Sequence, residues 1–209
     1  MSFILAVRIG LSLLLALPCA AIPRLGQRLS NRWLLTGLGI GLLLGILGSA
    51  LSVAPYPWTD VVVLLVALTG GLLLGRVVPT RFWPILLVMV LLSAVDVANI
   101  VRTYRASAAP ANFSGPDLYG NLLFLLPFGA VNVGIGDLLL LTAVAEQWRR
   151  RGSSWLVVLT PGAVGLGLAY AFVLVTGLAV IPLLPFLTVG WACSGILQHL
   201  HRRNEMSSG

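Results

Sequence analysis

Apolar runs of about twenty residues recur along this chain, with only short polar stretches between them. A helix rises about 1.5 Å per residue, so about 20 apolar residues cross the hydrocarbon of a bilayer. Seven such runs are legible, at residues 3–21, 33–53, 59–78, 82–102, 119–147, 155–176 and 179–199. They predict an all-α, polytopic membrane protein with seven transmembrane helices. Charged residues are 9% of the 209 and hydrophobic ones 58%, whereas a soluble domain carries about 25% charged. That balance leaves room for one membrane domain over 1–209 and for no sizeable soluble domain. The first run ends in Pro18-Cys19-Ala20-Ala21 and superficially resembles a signal peptide. Its one basic residue, Arg8, is embedded rather than leading, so it reads as a retained helix.

The formal charge is +7, carried by arginine alone. These arginines punctuate the ends of apolar runs, so they read as topology signals and not as a nucleic-acid surface. Arg24, Arg28 and Arg32 follow the first run, Arg76 and Arg81 the third, Arg149 to Arg151 the fifth, and Arg202 and Arg203 the seventh. With seven helices all four groups fall on one side. Excess positive charge marks the cytoplasmic side, so the N-terminus is expected outside and the C-terminus in the cytoplasm. Trp33, Trp58, Trp83, Trp148 and Trp155 stand near run ends, as an interfacial aromatic belt does. Asp60 reads as a helix cap after Pro57-Trp58-Thr59. Gly37, Gly41 and Gly45, and then Gly71 and Gly75, form rows that let helix backbones approach closely. Residues 103–118 read as a flexible outer loop, and its Asn112-Phe113-Ser114 sequon as chance.

Within this apolar frame two acids stand out. Asp96 lies in Leu92-Ser93-Ala94-Val95-Asp96-Val97 and Asp137 in Gly134-Ile135-Gly136-Asp137-Leu138. An acid at mid-membrane costs roughly 2.5–3.5 kcal/mol on insertion scales, so it is functional by default. The two lie on consecutive antiparallel spans at similar depth, which can bring them face to face between the fourth and fifth helices. Two carboxyls sharing a site cannot both ionise easily. One then acts as base toward water while the other, protonated, polarises a peptide carbonyl. Gly134 and Gly136 remove side chains where the fifth helix would press on the fourth.

Competing chemistries are poorly supplied. Cys19 and Cys193 form no metal or redox spacing and read as small apolar filler. His199 and His201 have no accompanying ligand set, so no metal and no other cofactor is expected. Neither HExxH, GxSxG nor a glycine-rich phosphate loop occurs. Glu146 reads as a solvated charge beside arginines. Ile181-Pro182-Leu183-Leu184-Pro185 opens the seventh run, and two prolines three apart prevent regular helix there. Irregular backbone at membrane depth is tolerated where it lines a watery cavity.

Asp96, then Gly134-Ile135-Gly136-Asp137, then Pro182-Leu183-Leu184-Pro185-Phe186 resembles the GxGD intramembrane aspartic proteases, the presenilin and signal peptide peptidase family. The likeness covers roughly residues 82–200. It divides the chain into an N-terminal three-helix scaffold, 1–81, and a catalytic four-helix half, 82–203. It implies an endopeptidase that cuts transmembrane segments with Asp96 and Asp137. The surrounding Gly134, Ile135, Gly136, Ile181, Pro182, Leu183, Leu184 and Pro185 would shape the substrate site. The implied partners are a transmembrane peptide or protein and the bilayer, in a prokaryotic cytoplasmic membrane, with no nucleic acid. The expected span directions resemble signal peptide peptidase more than presenilin. Val95 stands where the family often has Tyr, Leu183 where it has Ala, and seven spans replace nine. Two alternatives remain. Prepilin peptidases share GxGD, but nearer the cytoplasmic face with basic residues following. A transporter would use Asp96 and Asp137 as an ion site, with broken helices in two related halves that this sequence does not show.

Overall fold

The computed structural model describes residues 21–23, 26–50, 58–106, 123–125, 132–176 and 182–207. The first apolar run up to residue 20, residues 107–118 of the expected outer loop with its sequon, and Ile181 lie outside them. Among the described residues six α-helices dominate: α1 (Asn31–Ala50), α2 (Trp58–Val77), α3 (Phe82–Ala106), α4 (Ile135–Arg150), α5 (Trp155–Thr176) and α6 (Leu184–Ser207). A 3-10 turn, Gly26–Arg28, precedes α1. Strands β1 (Leu123–Leu125) and β2 (Asn132–Gly134) pair antiparallel, with Leu123 opposite Gly134.

The second, third, fourth and sixth apolar runs become α1, α2, α3 and α5 with ends shifted by a few residues. The seventh begins later, at Leu184, and runs on to Ser207. The fifth is different. The run 119–147 is not one helix: it holds the β1–β2 ladder, and only 16 residues form α4. The reason is in the sequence, where Pro127, Gly129, Asn132 and Gly134 interrupt the leucines and disfavour helix. Two helices, over Asn31–Gly48 and Trp155–Phe172, are long and apolar enough to cross a membrane by length and composition. Shorter apolar stretches fill Val61–Val77 and Phe82–Ala98.

Packing follows the small residues. α2 lies tightly along α4, because a Cβ at Gly71 would sit 2.6 Å from the Leu139 carbonyl oxygen and one at Gly75 2.7 Å from that of Ala143. α1 packs on the other side of α2, where a Cβ at Gly41 would come within 2.7 Å of Val66 Cγ2. α5 and α6 form a second close pair, with Gly190 against the Pro161 backbone. α3 joins this pair through α6, and α4 bridges the two groups. Packing therefore crosses residue 81, since α2 of the N-terminal part rests on α4. Gly75→Val should force α2 from α4 and cost about 1–3 kcal/mol, the range for overpacking a dense interior. Thermal unfolding of the purified protein measures it. An unchanged midpoint would show that the close approach is dispensable.

The core ends in an aromatic cluster at the arginine-bearing ends of the helices. Trp148 and Trp191 ring centroids are 4.5 Å apart, and Phe82 stacks on Trp191 at 5.7 Å. This corrects one expectation: Trp148 is fully buried and belongs to the core, while Trp33 and Trp83 are 69% and 75% exposed, as belt residues are. Glu146 is corrected too. It is fully buried, one turn inward from Arg149, which donates to both its carboxylate oxygens at 2.6 and 2.7 Å. Arg76 Nε lies 3.6 Å from the same carboxylate. A desolvated carboxylate needs such partners, because burial unpaired costs several kcal/mol.

Candidate functional site

The buried stripe of α3 runs Ile85, Met89 and Ser93, recurring every four residues. Asp96 continues that stripe one turn further and is half-buried, whereas Val95 beside it is exposed. The stripe faces α6. Ser93 Oγ lies 2.9 Å from Thr188 Oγ1, and Ser93 also donates to the Met89 carbonyl. One turn along, Asp96 Oδ2 accepts a long hydrogen bond, 3.4 Å, from the Leu184 backbone N–H. Leu184 is the first residue of α6, so its N–H has no partner within its own helix. The carboxylate thus meets the positive end of α6 within the proline motif.

The local sequence explains why α6 starts there. Pro182 and Leu183 are not helical, and Pro185 sits in the first turn, where proline's missing N–H costs nothing. The Leu183 carbonyl already accepts from Phe186 and Leu187 N–H, both at 3.1 Å. The irregular backbone is therefore confined, among the described residues, to Pro182 and Leu183.

Asp137 stands on the first turn of α4, three residues after β2 ends at Gly134. It is half-buried. The sequence had suggested an acid in mid-helix; the ladder shortens the helix and leaves the acid at its N-terminal end, where the helix dipole favours a carboxylate. The expected role of the glycines is corrected as well. Gly136 is exposed, and among the described residues a Cβ there would meet nothing within 4 Å, so it does not press two described helices together. Gly134 belongs to the ladder. Nor do α3 and α4 pack along each other: α4 is drawn onto α2 by Gly71 and Gly75, and α3 onto α6. Asp96 meets α6 through the Leu184 N–H.

The heights of the two acids nevertheless agree. Phe82 at the start of α3 and Trp148 near the end of α4 have ring centroids 6.3 Å apart. From that tie Asp96 is about 21 Å along α3 and Asp137 about 17 Å along α4, at a rise of about 1.5 Å per residue. The difference is less than one helical turn. Asp96 and Leu184 are thus joined by one hydrogen bond on α3 and α6, and Asp137 lies at a similar distance along α4 from the Phe82–Trp148 tie. The sequence missed the polar ladder Ser93–Thr188 that holds α3 to α6, although Ser93 and Asp96 are three apart and share a helix face. No family model, no curated protein and no solved structure matches this chain.

Proposed function

We propose that the chain is a polytopic membrane protein and an intramembrane aspartic endopeptidase that uses Asp96 and Asp137 as its acid–base pair. The membrane reading is supported by mean hydropathy of +1.01 and by large apolar side chains left bare on α1 and α3. Leu35, Ile40, Leu43 and Ile46 on α1, and Leu87, Leu91 and Val95 on α3, are all exposed. Soluble monomers rarely expose such contiguous apolar surface.

The observation that carries the protease reading is the Asp96–Leu184 hydrogen bond. It sets one of two intramembrane acids against the irregular backbone of Pro182 and Leu183. Asp137 supports it from a similar distance along α4, with no described residue within 4 Å of a Cβ at Gly136. In the proposed reaction the ionised aspartate takes a proton from water, which attacks the peptide carbonyl. The protonated aspartate gives its proton to the carbonyl oxygen; the proton taken from water then passes to the departing nitrogen as the carbon–nitrogen bond breaks, and the intermediate's hydroxyl returns a proton to the pair. A substrate helix must first unwind, and its freed backbone needs partners away from bulk water. The edge of the β1–β2 ladder, which runs directly into the Gly136-Asp137 turn, supports such pairing by strand addition, alongside the Pro182–Pro185 backbone.

The test uses two reporters with the same membrane span in opposite orientations, reconstituted with the purified protein. The positive-inside pattern points to a signal peptide peptidase-like direction, so the reporter with a cytoplasmic N-terminus should be cut preferentially, more so with helix-weakening residues near the scissile bond. Absence of cleavage in both orientations would sink the protease reading. Preference for the reversed reporter would sink only the orientation.

A further inference from the structure

From Val90 to Ala98 every residue of α3 is exposed except Ser93 and Asp96. Up to Ala98, apolar burial on α3 therefore ends at Met89, and the turns beyond it meet the protein through two polar residues three apart on one face. Nearer the arginine-bearing ends, shape sets the seam between α3 and α6. Phe82 stacks on Trp191, and a Cβ at Gly195 would come within 2.5 Å of the Phe82 ring. The two helices run antiparallel, so Ser93 falls opposite Thr188 and Asp96 opposite Leu184.

The contact at Asp96 is too weak to hold that alignment by itself. It spans 3.4 Å, against about 2.9–3.0 Å for an ordinary N–H···O bond. One turn inward, the Ser93 and Thr188 hydroxyl oxygens are 2.9 Å apart. Two hydroxyl protons serve this pair. Either Ser93 donates to Thr188, which donates to the Leu184 carbonyl at 2.9 Å, or Thr188 donates to Ser93, which donates to the Met89 carbonyl at 2.7 Å. In both arrangements one bond crosses from α3 to α6 and the other anchors the pair to helix backbone. Lipid tails are as apolar as leucine, so across a membrane seam a hydroxyl pair supplies a direction that apolar contact does not. We infer that Ser93 and Thr188 are positioning residues: their hydroxyl pair sets the register of α3 on α6 at which the Asp96 carboxylate meets the Leu184 N–H. The consequence for catalysis rests on the protease reading above.

The test has two arms. In the first, kcat and KM are measured separately on the transmembrane reporter. Thr188→Val removes the hydroxyl and keeps the branched shape. It should lower kcat about tenfold with KM unchanged, within the roughly 10²-fold that a misplacement of about 1 Å can cost. Ser93→Ala removes the pair from the other side and should do the same. Thr188→Ser keeps the hydroxyl and should restore kcat. Thr160→Val removes a buried hydroxyl that donates to Leu156 within α5, and should leave kcat unchanged. In the second arm, hydrogen exchange of the Leu184 amide is followed by NMR without substrate. Thr188→Val, Ser93→Ala and Asp96→Ala should all quicken it, and Thr188→Ser should not. If Thr188→Val does not fold, Ser93→Ala carries both arms. Unchanged exchange at Leu184 in the hydroxyl-deleted variants overturns the positioning role. A fall in kcat that Thr188→Ser does not rescue assigns position 188 to packing and overturns it too. A wild type that cuts no reporter overturns the protease reading instead, and the exchange arm then decides the register by itself.

Discussion

Asp137→Asn and Asp96→Asn are each expected to reduce cleavage of a transmembrane reporter by at least about 10²-fold, the lower bound for losing a positioned acid or base. The substitution is informative because asparagine keeps a side-chain carbonyl oxygen. At position 96 that oxygen can still accept from the Leu184 N–H, and asparagine caps a helix about as well as aspartate. Folding should therefore survive while proton transfer is lost. Asp96→Ala removes the acceptor as well and should cost a further ~1 kcal/mol at the start of α6. Cleavage is read by the appearance of cut reporter in proteoliposomes, and integrity by thermal unfolding of the same preparations. Undiminished cleavage in either asparagine variant would refute the pair. Loss of cleavage together with a fall in unfolding temperature at Asp96→Asn would assign that residue to structure alone.

The second large effect is on stability. Arg149→Met leaves the buried Glu146 carboxylate, among the described residues, with only Arg76, at 3.6 Å, as an ion-pair partner. Breaking a buried pair by removing one partner costs about 3–5 kcal/mol, and the residual contact to Arg76 puts the expectation near ~3. For a chain of this length each kcal/mol moves the midpoint by about 2–4 °C, so a drop near 10 °C is expected. Arg149→Lys should recover part of it, because the charge returns without the bidentate fork. Double replacement of Glu146 and Arg149 by similarly sized apolar residues should be less harmful than Arg149→Met alone. An Arg149→Met protein as stable as wild type would overturn the buried ion pair as a source of stability.

Much of the helical frame was legible because long apolar runs and arginine punctuation are local signals. α5 appeared as read, and α1, α2 and α3 nearly so. The failure at 119–147 has a local cause: run length outweighed Pro127, Gly129 and Asn132, which break helix within leucine-rich sequence. Other errors were of partnership. Glu146 and Trp148 stand beside arginines in sequence, and only packing of α2 and α6 against α4 buries them. At the site, Asp96 and the Pro182–Pro185 segment were singled out independently and the hydrogen bond to Leu184 joins them. That the Asp96 stripe turns to α6 was not legible. Helix neighbours are decided by Gly71 and Gly75, whose sequence row shows a close approach without naming the partner.

The contacts of Arg150 bear on how the chain is built. Its guanidinium donates to three carbonyls at the end of α2, on a segment synthesised some seventy residues earlier. Arg76 on that same segment reaches Gly26, Leu29 and Asn31 on one side and Glu146 on the other. Until α4 emerges, the end of α2 lacks these donors. A nascent chain halted after α3 therefore holds its early helices in a provisional state, and arrival of the Glu146–Arg150 turn latches the first half. A ribosome-stalled series should show this as an abrupt gain of protease resistance in residues 26–31 and 71–78, at the length where Arg150 clears the ribosome.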